Sequence, residues 1–167
     1  VARQHHNGRD AQGAQAIHTV EHVLAAVCAL GLDDLYIDLD GPEPPALDGS
    51  FRPWLEALQG AGERVQDGDP VVFRVLAPFT VTEGASSYVV SPAGAMRVTV
   101  AIDFPHPLIG SQAGSYEVTP EVFARELAGA RTFGFVHEVE ALKAKGLIQG
   151  ASPGNAVVLT DTGLVEG

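Results

Sequence analysis

Glu21 and His22 are adjacent, and His18 stands one helical turn before His22, at the start of the apolar stretch Ile17–Gly31. Three kinds of chemistry fit a carboxylate beside two imidazoles. In the plainest, the start of a helix is exposed, Glu21 favours the positive end of the dipole, and both histidines are solvated. In the second, His18 and His22 lie on one face and both bind a metal. In the third, one histidine is a ligand and Glu21 is the base for a water activated by the metal. Glu21 and His22 diverge by about 100° around a helix axis, so they meet at one metal only if the helix end points at it. The pattern is not H-E-x-x-H, and spacing alone leaves all three readings open.

The element that must carry these groups reads as a helix over Ile17–Leu30. Val20, Val23, Leu24, Val27 and Leu30 recur at the period of one helical face. Gly31 supplies the stop, because glycine takes the left-handed conformation at little cost. Cys28 reads as a small core residue. Leu35–Asp40 alternates apolar and acidic residues, as a half-buried strand would. Residues 41–49 are too rich in proline and glycine for regular structure. Asp48 or Ser50 caps a helix over Phe51–Gln59, with Pro53 in its first turn. Val71–Leu76, Phe79–Glu83, Ser86–Ser91 and Met96–Ile102 read as strands of an antiparallel meander. Thr119 caps a helix to about Ala130. A strand at Thr132–Phe135, a helix over Glu138–Lys145 and a strand at Ala156–Leu159 complete the reading. His5 and His6, near the first residue, read as solvated, and His106, between prolines, as a loop histidine.

The whole chain is 167 residues with 46% hydrophobic and 19% charged residues, which is the composition of a globular core-former. Its net charge of −11 argues against nucleic acid or an anionic membrane as partner. Cys28 is the single cysteine, so no intrachain disulfide forms. No apolar run reaches the length of a membrane-spanning helix, and no signal-peptide pattern opens the sequence. A cytoplasmic monomer is the expectation.

Three blocks then narrow the chemistry. Thr19-Val20-Glu21-His22, followed by Gly31–Asp34 and by Asp40–Ser50, closely resembles the UDP-3-O-acyl-N-acetylglucosamine deacetylases, zinc enzymes of lipid A biosynthesis. Ala130-Arg131-Thr132-Phe133-Gly134-Phe135 resembles that family's second motif. Gly146–Ser152 with Asn155–Val158 resembles a third. Order and spacing agree over nearly the whole chain.

The resemblance implies an α+β fold of two successive sheet-plus-helix domains with the active site between them. The first would cover residues 1–66 and the second 67–167, with an inserted β-α-β unit at about 133–159 bounding a hydrophobic passage for the acyl chain. Phe135, Val139, Leu142, Leu147 and Ile148 are apolar enough to line it; without the resemblance they read as the core of that small unit. It also implies Zn2+ as cofactor, His22 as a zinc ligand, Glu21 as general base and Thr132 as donor to the oxyanion. Phe133 and Phe135 would lie against a UDP-linked acylated glucosamine, and His18 would not be a ligand. The family's other two zinc ligands and its general acid lie on later segments, so the chain is expected to be a fragment lacking both ends and inactive alone. The rival expectation is a non-catalytic binding or structural module.

Overall fold

Thr19 decides where the first helix begins. In the computed structural model, which describes residues 17–69 and 72–165, its φ is +54°, a left-handed conformation that breaks any helix running in from Ile17. Helix α1 therefore spans Glu21–Leu30, four residues shorter than the sequence suggests. The spacing that would set His18 over His22 on one helical face is thereby lost. At the other end, Gly31 adopts φ +67°, and the Leu32 N–H closes back on the Val27 carbonyl at 3.2 Å. Ser50 marks the start of α2, Arg52–Ala61: its hydroxyl accepts from the Arg52 N–H at 3.2 Å, and Pro53 occupies the first turn.

The core lies between α1, α2 and a third helical segment, α3 (Pro120–Val122), which runs on as a π-helical turn at Phe123–Leu127. Ala26, Ala29, Leu55, Phe123 and Ala128 form its buried centre. Two alanines on α1 let α2 approach closely, so Leu24 and Cys28 are left on the exposed side of α1. Cys28 is thus a surface residue, contrary to expectation. The Thr119 hydroxyl accepts from Val122 N–H and caps α3 as expected.

Among the described residues, strands occur in three separate pairs. β1 (Phe79–Glu83) and β2 (Ser86–Val90) form a tight antiparallel hairpin. β3 (Arg97–Phe104) pairs antiparallel with β4 (Gly110–Glu117) over eight residues. The expected meander is therefore two hairpins that are not hydrogen-bonded to each other. β5 (Phe133–Phe135) and β6 (Val157–Leu159) are parallel, joined across α4 (Val136–Ala144), as expected of a β-α-β unit. The mixed α+β class holds. Leu35–Asp40 and residues 72–76 are irregular, although both were expected as strands. A strand persists only as part of a hydrogen-bonded ladder, and no described segment pairs with either; Tyr36 is 89% exposed. Val71, and with it the start of that second expected strand, lies outside the described residues, as do His5 and His6.

Candidate active site

Glu21 is the first residue of α1, where its carboxylate meets the positive end of the helix dipole. Its side chain is largely exposed, while that of His22 is mostly covered. The His22 imidazole leans on Phe51, with ring centroids 5.1 Å apart, and Phe51 in turn packs on Phe123 at 5.7 Å. The core thus backs the histidine from behind. Its Nδ1 lies 4.0 Å from Glu21 Oε1, too long for a direct hydrogen bond. The pair sits at one helix end, as the third reading requires, with two different groups presented side by side.

Thr132 reaches this region through the segment that carries Phe51. Asp48 Oδ1 accepts from both the backbone N–H of Ser50, at 2.9 Å, and its hydroxyl, at 2.8 Å. That turn leaves the carbonyls of Asp48 and Gly49 pointing at the 130–135 block. Arg131 Nε donates to the Asp48 carbonyl at 3.0 Å, Thr132 N–H donates to the Gly49 carbonyl at 2.9 Å, and Ser50 bridges Arg131 in antiparallel fashion. On its other side Arg131 Nη2 donates to the Pro153 carbonyl at 3.3 Å, and Val157 N–H donates to the Thr132 carbonyl at 2.9 Å. Thr132 is therefore fixed by its backbone on both edges, and its exposed side chain keeps its hydroxyl available. The Asp48 carboxyl is held below its ordinary value, first by the Ser50 backbone N–H, then by the Ser50 hydroxyl, its own N–H and the Arg131 charge, with burial opposing.

Gly49 explains why Asp48-Gly49-Ser50 is more than a helix cap. Its φ is +79°, and a Cβ built there would lie 1.7 Å from the Asn155 carbonyl oxygen. The two motifs close on each other with no room for a side chain. Only the capping half of this role was legible from residue types.

Phe133 and Phe135 project from β5 into an aromatic group with Phe104 of β3, at centroid distances of 5.6 and 6.1 Å. His106 packs on Phe135 at 5.7 Å and is buried. Its Nε2 lies 2.8 Å from the Thr160 carbonyl, and its Nδ1 accepts from Leu108 N–H at 3.2 Å, which assigns the proton to Nε2. His106 is a structural pin between the β3–β4 connection and the segment after β6, more than the simple loop histidine read from the sequence. His18 precedes the helix: it is exposed, and its backbone N–H donates to the Pro42 carbonyl at 2.9 Å.

A family model described as UDP-3-O-acyl N-acetylglycosamine deacetylase matches residues 5–167. The chain belongs to this deacetylase family. It is 44% identical over 151 residues to the UDP-3-O-acyl-N-acetylglucosamine deacetylase of Syntrophotalea carbinolica, covering 90% of this chain and 49% of the relative. The deacetylase of the same name from Bdellovibrio bacteriovorus is 43% identical over 153 residues, 92% of this chain and 51% of the relative. That of Thermosynechococcus vestitus is 44% identical over 156 residues, 93% of this chain and 54% of the relative. The chain spans about half the length of the curated relatives it matches.

The donor chemistry of this chain suits zinc in part. An imidazole braced from behind and a carboxylate beside it are the groups a catalytic zinc site uses as ligand and base. Such a site takes three protein ligands, and among the described residues no three His, Cys, Asp or Glu side chains converge. His22 and Glu21 are not joined by a third such side chain among the described residues. No helix among them is long and apolar enough to cross a membrane.

Proposed function

We propose that the protein containing this chain is a zinc-dependent amide hydrolase. It removes the acetyl group of UDP-3-O-acyl-N-acetylglucosamine as acetate, in the cytoplasm, as a step of lipid A biosynthesis. The observation that carries the reading is the joint between motifs. The 130–135 block lies on Asp48–Ser50, whose neighbour Phe51 backs His22, so one short segment ties both motifs together. Support for the substrate comes from the family and from the names of the relatives.

In this reading His22 is one zinc ligand, completed by donors from the rest of the protein. Zinc, when bound, lowers the pKa of water to about 7 and polarises a carbonyl. Glu21 accepts the proton of the attacking water, and its exposure at the helix start keeps it within reach of solvent. The water oxygen bonds to the acetyl carbon, the carbon–nitrogen bond breaks, and the amine leaves with a proton. The Thr132 hydroxyl donates to the oxygen that becomes negative as the carbonyl is attacked. Phe133 and Phe135 supply apolar wall for the substrate. The 167-residue chain on its own is expected to release no acetate and to yield zinc readily to a chelator.

The test is acetate release and zinc content in the full-length protein and two variants. Glu21→Ala should keep its zinc and lose turnover, whereas His22→Ala should lose zinc itself. A folded, fully zinc-loaded protein that releases no acetate would refute the deacetylase reading and leave a non-catalytic binding module in its place.

A further inference from the structure

Three non-glycine residues among those described have positive φ: Thr19 at +54°, Leu47 at +52° and Ile148 at +44°. Thr19 and Ile148 are β-branched, the side-chain class that tolerates this conformation least. A strained residue persists only where its surroundings over-determine it. Both are held by one group. The Thr19 hydroxyl donates to Glu43 Oε1 at 2.8 Å, and the Ile148 N–H donates to Glu43 Oε2 at 3.2 Å, with Oε1 at 3.5 Å. The residue before Glu43 adds to the tie, since Pro42 O accepts from His18 N–H. Leu47, the third strained residue, lies on the same loop, four residues after Glu43. Glu43 is half-buried, and among the described residues it has no salt bridge and takes its hydrogen bonds from these two donors.

The two donors belong to different parts of the site. Thr19 is the turn that starts α1, two residues before Glu21 and three before His22. Ile148 follows α4, in the turn closed by Leu147 N–H on Leu142 O and Ala151 N–H on Ile148 O. α4 connects the strands that carry Phe133 and Phe135. We infer that Glu43 is a positioning residue: its carboxylate locks the turn around Ile148 to the start of α1 and so sets the spacing between the catalytic pair and the β5–α4–β6 unit. The catalytic consequence rests on the function proposed above; the tie itself does not.

The amide of glutamine can keep both bonds, its oxygen accepting from Ile148 N–H and its NH2 donating to the Thr19 hydroxyl. Alanine keeps neither. The experiment therefore compares Glu43→Ala, Glu43→Gln and Thr19→Val in the full-length, zinc-loaded protein. It reads kcat per zinc-loaded molecule and amide hydrogen exchange at Ile148. Glu43→Ala should lower kcat by roughly 10- to 100-fold, the cost of a misplaced reacting geometry, with zinc content unchanged. Its Ile148 amide should exchange faster. Glu43→Gln should restore most of both. Wild-type kcat and unchanged exchange in a folded Glu43→Ala would overturn the inference, as would a Glu43→Gln no better than alanine. If Glu43→Ala does not fold, Thr19→Val decides: it removes one donor while keeping shape, and should lower kcat several-fold and loosen Ile148 across the joint. Unchanged kcat and exchange there would overturn the inference equally. If the wild-type protein releases no acetate, the functional reading falls, and exchange at Ile148 still decides the tie.

Discussion

Replacing Gly49 by alanine should be among the most damaging single-methyl changes in this chain. Two costs add. The φ of +79° puts any Cβ residue in the left-handed region, at about 1–2 kcal/mol. The added Cβ would also lie 1.7 Å from the Asn155 oxygen and 2.6 Å from its carbonyl carbon, so one backbone must retreat by more than an ångström. Asn155 cannot yield cheaply: its N–H donates to Ser152 O, and its side chain bonds Gly150 O and Ser152 N–H. Retreat of Gly49 instead breaks two bonds, that from Thr132 N–H to its carbonyl and that from Arg131 to Asp48 O. At about 1 kcal/mol for each lost bond, the total comes to roughly 3–4 kcal/mol. Gly31 is the control. It has φ +67° but nothing within 4 Å of its Cβ position, so Gly31→Ala should cost only the conformational part, about 1–2 kcal/mol. Equilibrium urea unfolding of both variants in the full-length protein measures the difference. Gly49→Ala should be the less stable by about 2 kcal/mol. Equal midpoints for the two variants would mean that the Gly49–Asn155 approach is not a rigid joint, and the account of how Thr132 is held would fail with it.

Two further outcomes follow from the site. Thr132→Val keeps the backbone bonds to Gly49 and Val157 while removing the hydroxyl, so kcat should fall by about 10²- to 10³-fold with melting temperature and zinc content little changed; a valine variant of normal kcat would exclude an oxyanion role. Asp48→Asn tests the brace under α2. The Asp48 carboxyl is held below the ordinary value of 3.8, chiefly by the Ser50 N–H, so its stabilisation is present above that value and fades as pH falls through the lower, folded-state value. The gap in melting temperature between wild type and Asp48→Asn should be constant near neutrality and shrink below about pH 4; a gap that holds into strong acid would show that the charge is not what braces Ser50.

What was legible in the sequence was local. β1, α2, α4 and β6 fall within two residues of their expected spans, because apolar period, a proline in the first turn and a glycine stop all act within a few positions. Gly110–Glu117 gave no strand signal, being small and polar. It becomes β4 through its partner, with Arg97 Nη2 donating to Glu117 at 3.0 Å and Thr99 and Ser115 hydroxyls 2.8 Å apart. Leu35–Asp40 had the opposite fate: its alternation is strand-like, and no described partner pairs with it. Among site residues, Glu21, His22 and Thr132 stood out by type and motif. Glu43 and Gly49 did not, because their roles come from contacts with residues far along the chain. A carboxylate between prolines looks like loop, and a glycine after aspartate looks like a turn, until Ile148 and Asn155 arrive beside them.

Those distances have a consequence on the ribosome. Ile148 is made 105 residues after Glu43, and Arg131 follows Asp48 by 83. At about 5–20 residues per second, Glu43 waits roughly 5–20 s for its second partner. Over most of that interval α1 and α2 also lack Phe123, so Ala26, Ala29 and Leu55 present a half-made apolar surface to the cytosol or to a chaperone. The hairpins β1–β2 and β3–β4, each closed by a short turn, need no such delay once their own strands have emerged. The Glu21–His22 pair is thus translated early, and a chain released or cut before residue 131 carries it without the segment that holds Thr132.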